Sequence, residues 1–143
     1  MLSIHPINPD PIMLPVLAQA VSAGFPSPAD DHIEEEIDLH KLLVRNRAAT
    51  FLVRVAGDSM LDAHLHDGDI AVIDRSVPPA AGDVVVVDVD GDRSFKVWTG
   101  RRIQPLAFAN RTLPPFDLPA GAAVEVWGTV TGSVCANRRA HRE

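Results

Sequence analysis

Four consecutive valines, Val84 to Val87, lead through Asp88 and Val89 into Asp90-Gly91 and then Arg93-Ser94-Phe95-Lys96-Val97-Trp98. Branching at Cβ favours the pleated backbone, and an unbroken apolar run of this length predicts a strand buried on both faces. Asp-Gly supplies the turn residues of a tight hairpin, so this segment commits the chain to antiparallel sheet. Residues 51–55 alternate loosely, and residues 69–74 form another buried-type run. Further strands are expected at 101–108 and 122–130. Short strands joined by Gly, Asp and Pro turns predict a mostly β fold, a compact curled antiparallel sheet over residues 50–143.

The beginning of the chain is built differently. Six of the twelve prolines fall within the first 28 residues, a density that blocks regular helix and predicts an extended arm. From Ile33 to Arg45 the apolar residues Ile33, Ile37, Leu39, Leu42 and Leu43 follow partial helical spacing. A short helix is therefore expected there, with Asp38 as its cap. Residues 1–49 are thus read as a flexible, acidic, Pro-rich arm. Seven carboxylates and no Lys or Arg fall in residues 1–40, giving a charge of −7, while the remainder carries about +1. A nearly neutral body does not offer the clustered cations that phosphate neutralisation needs, so no direct nucleic-acid binding is expected. The basic cluster Arg138-Arg139-Ala140-His141-Arg142 reads as a solvated terminus. Ile12 to Ala20 has the apolar look of an export signal. No positive charge precedes it, however, and Asp10 and prolines interrupt it. No run approaches the ~18 apolar residues of a membrane helix, so a cytoplasmic protein without membrane contact is expected.

Chemistry concentrates at two positions. Ser59 follows Gly57-Asp58 in a turn, and Lys96 is the only lysine in the last hundred residues. A desolvated lysine loses its proton and becomes a general base able to activate a serine hydroxyl. Eleven of the thirteen basic residues are arginines, which cannot play that part. Alternation along its strand puts Lys96 on one face with Ser94 and Trp98, and the Trp98 ring is expected to shield the amine. Main-chain N–H groups in the Ser59 turn are candidates for holding an oxyanion, and Gly57 permits the unusual backbone such a turn needs.

Other candidate sites read as ordinary structure. Asp88-Val89-Asp90-Gly91-Asp92 has its glycine in the wrong position for a calcium loop and lacks the downstream glutamate. His64-Leu65-His66 has no evident third ligand nearby in sequence and reads as a polar loop. Glu34-Glu35-Glu36 reads as a solvated face, and one cysteine, Cys135, excludes an internal disulfide. No cofactor and no metal are expected.

Gly57-Asp58-Ser59-Met60, Asp67-Gly68-Asp69, Gly82-Asp83-Val84-Val85 and Lys96 together resemble the LexA/UmuD family of self-cleaving Ser-Lys peptidases. Ser59 and Lys96 lie 37 residues apart, which suits that family's pair. Gly24-Phe25-Pro26-Ser27-Pro28-Ala29 and Glu36-Ile37-Asp38-Leu39 are similar to the UmuD branch, the accessory subunit of DNA polymerase V. The resemblance implies a LexA-like C-terminal domain over residues 50–143, preceded by an arm that carries the cleavage site. It implies Ser59 as nucleophile, Lys96 as base and Ala23-Gly24 as the bond cut. UmuD usually has Cys before that glycine, whereas LexA has Ala, as here.

It further implies a homodimer, stimulation by the RecA–single-stranded-DNA filament in the SOS response, and partnership with a UmuC-like Y-family polymerase in translesion synthesis. From Gly24 to Phe51 is 27 steps, up to ~90 Å if extended, so the arm can reach a Ser59 of its own chain or of a second copy. Only 23 residues lead up to the bond, too few for LexA's helix-turn-helix, so a DNA-binding repressor is not expected. The competing readings are a non-cleaving polymerase-binding subunit, a phage-repressor-like remnant and a signal-peptidase-like enzyme, which also uses Ser and Lys but needs a membrane anchor that is not expected here.

Overall fold

The computed structural model describes residues 10–26 and 28–137, so the basic tail lies outside the described residues. Contacts divide the chain into two units, Met1–Arg45 and Asn46–Glu143.

In the first unit, β1 (Met13–Leu17) pairs antiparallel with β2 (Ile33–Asp38), in a register that runs from Met13 opposite Asp38 to Leu17 opposite Ile33. Ala18 N–H continues the ladder to the His32 carbonyl at 2.7 Å. Pro15 sits within β1, where a two-stranded ribbon has only edges and a missing donor is tolerated. The helix expected over residues 33–45 is confined to α1 (Leu39–Leu43). Asp38 does cap it, accepting from His40 N–H at 3.0 Å. Residues 33–38 are strand because their backbone groups find partners across the ribbon, a pairing that local helical spacing cannot reveal.

The second unit is a curled six-stranded antiparallel sheet in the order β3-β4-β8-β5-β6-β7. Its strands are β3 (Thr50–Arg54), β4 (Ile70–Asp74), β5 (Val84–Val89), β6 (Asp92–Trp98), β7 (Leu106–Ala107) and β8 (Val124–Val134). Asp90 and Gly91 have φ of 49° and 86°, the backbone of the tight turn that joins β5 to β6. The strand expected over 101–108 shrinks to two residues, and β8 extends beyond 122–130 to Val134.

The valine run is buried on both faces. Val86 packs with Ala71, Ile73, Val55 and Met60 on one side, while Val85 and Val87 pack with Leu106 on the other. At ~25 cal/mol per Å2 of apolar surface, each fully buried Val or Ile contributes roughly 1.5–3 kcal/mol. Phe95 and Val97 join the first core and Trp98 the second, so β6 carries its residues alternately to two different environments. No helix among the described residues is long and apolar enough to cross a membrane.

Candidate active site

Ser59 lies on the loop between β3 and β4, and that loop is tied at both ends. At its start, Val55 N–H donates to the Asp69 carbonyl and Gly68 N–H to the Val55 carbonyl, both at 2.8 Å. Gly57 N–H donates to Asp67 Oδ1 at 2.8 Å, and Gly57 adopts φ 86°, which a residue with a Cβ would resist. Beyond Ser59 the loop is stitched to residues 109–111. Ala109 N–H donates to the Ser59 carbonyl at 3.0 Å, and Asp62 N–H to the Ala109 carbonyl at 2.6 Å. Met60 anchors the loop in the core at 2% exposure.

Asn110 adds a side-chain tie that sequence reading missed. Its buried side chain donates from Nδ2 to the Asp58 carbonyl at 2.7 Å. Its Oδ1 accepts from Thr112 N–H at 3.0 Å and Thr112 Oγ1 at 2.6 Å. Asn110→Ala strands the Asp58 carbonyl and both Thr112 donors, and should lower unfolding free energy by about 1–3 kcal/mol. Urea unfolding measures this; an unchanged midpoint would mean that the loop holds without Asn110.

Ser59 is half-buried and lines a cleft of about 260 Å3 with Gly57, Met60, Val86, Ser94 and Phe95 among others. The N–H groups of Ser59 and Met60 donate to no acceptor among the described residues. The cleft therefore holds the Ser59 hydroxyl, and the backbone donors of residues 59 and 60 stay open among the described residues.

Lys96 is 6% exposed. No carboxylate pairs with it among the described residues, and burial pushes its pKa below the ordinary lysine value. Its Nζ donates to Ser94 Oγ at 2.7 Å and to the Phe95 carbonyl at 3.2 Å. The Phe108 and Phe116 rings shield it, their centroids 5.1 and 4.8 Å from Nζ. The shield expected from Trp98 thus comes from two phenylalanines on a distant loop, themselves packed edge to face at 5.3 Å.

Ser59 and Lys96 are not directly hydrogen-bonded. Ser94 is common to both surroundings: it lines the Ser59 cleft and also accepts from the lysine. Its signal in the sequence is its position two residues before Lys96, on the same strand face.

In the first unit, Ala23 and Gly24 are exposed. Ser22 Oγ accepts from Gly24 N–H at 3.3 Å and Phe25 N–H at 2.9 Å, bending this segment into a serine turn within the connection between β1 and β2. His64 and His66 do not form a pair; His66 instead lies against Asp69 and Cys135.

The Peptidase S24-like family model matches residues 15–131. Protein MucA of Salmonella typhimurium is 38% identical over 122 residues, covering 85% of this chain and 84% of its own length. Protein SamA of the same species is 38% identical over 132 residues, covering 87% of this chain and 86% of its own. LexA repressor 1 of Geobacter sulfurreducens is 36% identical over 123 residues, covering 85% of this chain and 60% of the repressor. With a curled antiparallel sheet, a family match over residues 15–131 and relatives 38% identical over most of their length, this chain belongs to the Peptidase S24-like family.

Proposed function

We propose that this chain is a self-cleaving serine peptidase that cuts its own Ala23-Gly24 bond with Ser59 as nucleophile and Lys96 as general base. The observation that carries the reading is the buried Lys96 amine, unpaired with any carboxylate among the described residues and one serine away from the Ser59 cleft. Neutral Lys96 takes the Ser59 hydroxyl proton as Oγ attacks the Ala23 carbonyl carbon. The oxyanion is received by the Ser59 and Met60 N–H groups. The lysine then returns the proton to the Gly24 nitrogen as the peptide bond breaks. Water, deprotonated by the same amine, releases the acyl group from Ser59. For this, Lys96 Nζ turns from Ser94 toward Ser59, and the serine turn at residues 22–25 opens to enter the cleft.

The arm 1–49 serves as a tethered substrate for the domain 50–143, and tethering raises its effective concentration at the nucleophile. The trimmed form acts in the SOS response as a cytoplasmic homodimer and accessory subunit of a UmuC-like Y-family polymerase in translesion synthesis, and the RecA–single-stranded-DNA filament promotes cutting. The resemblance to the UmuD branch supports this role, as does the similarity to MucA and SamA.

Intact-mass spectrometry of the purified chain tests the reaction. A species beginning at Gly24 is expected. Because the base acts as the neutral amine, its rate should rise from pH ~5 and level off once pH passes the lowered pKa of Lys96, short of the ordinary value of ~10.4. A rate flat across this range would remove Lys96 as the base. No cleavage, even with the RecA filament added, would favour the non-cleaving polymerase-binding subunit.

A further inference from the structure

The register of β4 against β8 sets Ile70 opposite Val134, which brings Asp69 and Cys135 side by side at the adjoining ends of the two strands. His66 reaches the same point from a turn in which Asp69 N–H donates to the His66 carbonyl at 3.0 Å. One donor atom from each of His66, Asp69 and Cys135 falls within 4.8 Å of the others. Nitrogen, oxygen and sulfur ligands are thereby gathered from residues 66, 69 and 135, a constellation invisible to local spacing.

We infer that His66, Asp69 and Cys135 form a binding site for a zinc-class divalent ion. Two light-atom ligands about 2.0 Å from a tetrahedral Zn2+ stand about 3.3 Å apart. His66 Nδ1 and Asp69 Oδ2 are 3.4 Å apart, so this edge of the tetrahedron is already set. The carboxylate is 5% exposed and oriented by the His66 backbone N–H, which donates to Asp69 Oδ2 at 2.9 Å. Such an outer hydrogen bond fixes a ligating carboxylate. His66 and Cys135 are exposed, so their side chains are not locked by packing, and their donor atoms already lie within 4.8 Å of the carboxylate. The mixed imidazole, carboxylate and thiolate set suits zinc or cobalt rather than calcium or magnesium. Binding releases the Cys135 thiol proton to solvent. Three protein ligands leave the fourth position to water.

The site is independent of the peptidase reading, though the two adjoin: Asp67 and Gly68, between the ligands His66 and Asp69, tie down the start of the Ser59 loop. The test is titration of the reduced full-length chain with Co2+, followed by absorbance. The expected result is one ion per chain, a thiolate-to-cobalt charge-transfer band in the near ultraviolet, intense visible bands of four-coordinate cobalt, and displacement by Zn2+. Cys135→Ser should abolish the charge-transfer band, and His66→Ala should weaken binding by about 10-fold or more. Both positions are exposed, so both variants should fold. Asp69 is left intact because its carboxylate also holds the turn. Absence of the thiolate band in the parent chain, or equal cobalt affinity in parent and both variants, would overturn the assignment.

Discussion

Ser59→Ala is expected to lower the rate of Ala23-Gly24 cleavage by roughly ten-thousand-fold or more, and Lys96→Ala to do the same. The two residues act as one unit, since without the amine the hydroxyl is not activated and without the hydroxyl the amine has no proton to take. The double variant should therefore be no slower than either single one. Lys96→Arg should fail equally, because a guanidinium keeps its proton. Ser94→Ala separates two roles for the neighbouring hydroxyl. If Ser94 only parks the lysine, cleavage persists with a shifted pH profile; if it orients the amine toward Ser59, the rate falls at every pH. Appearance of the Gly24-initiated fragment, followed by mass spectrometry, reads all five variants. Cleavage that survives in both single alanine variants would end the Ser59–Lys96 assignment.

The largest expected effect on stability lies in the sheet. Gly128, on β8 opposite Val86, has no room for a side chain: a Cβ there would lie 2.5 Å from Ile73 Cγ2 and 3.3 Å from Arg75 Cγ. Ile73 is fully buried, and its methyl branches directly from Cβ, so it cannot swing aside. Gly128→Ala should destabilise the fold by about 2–3 kcal/mol through overpacking. Ile73→Ala should cost about 2–5 kcal/mol as a cavity. Because the second change removes the methyl that the first collides with, the pair should cost less than their sum, by about 1 kcal/mol or more. Denaturant unfolding of the four proteins gives the cycle; strict additivity would mean that the strands separate locally and the contact is lost.

The sheet was legible because its signals are local. The valine run and Asp-Gly turn need only neighbouring residues to declare a buried hairpin, and alternation alone separates Lys96 and Trp98 from Phe95 and Val97 along β6. What sequence missed is held by distant partners. The strand at 33–38 exists because residues 13–17 lie beside it, and nothing in Glu34-Glu35-Glu36 announces that pairing. The shield over Lys96 comes from Phe108 and Phe116, twelve and twenty residues further on, across a connection with little regular structure. Asn110 carries no local signal, since its partner Asp58 lies 52 residues away in the chain. His64-Leu65-His66 reads as a polar loop in sequence, because Cys135 reaches His66 only through the β4–β8 register, which the folded sheet defines.

The ribbon of β1 and β2 gives the proposed cut a second outcome. Ala23-Gly24 lies in the connection between the two strands, so hydrolysis there removes a covalent link without breaking a single rung of the ladder. The leading peptide would stay behind as a bound ligand, and its departure, like any dissociation, would have its own off-rate and could be competed by added peptide. Once it leaves, β2 loses its only strand neighbour among the described residues and becomes a bare edge of unpaired N–H and C=O groups. Such an edge accepts an extended segment of another chain by strand addition. Proteolysis would then work less by discarding residues than by vacating a seat.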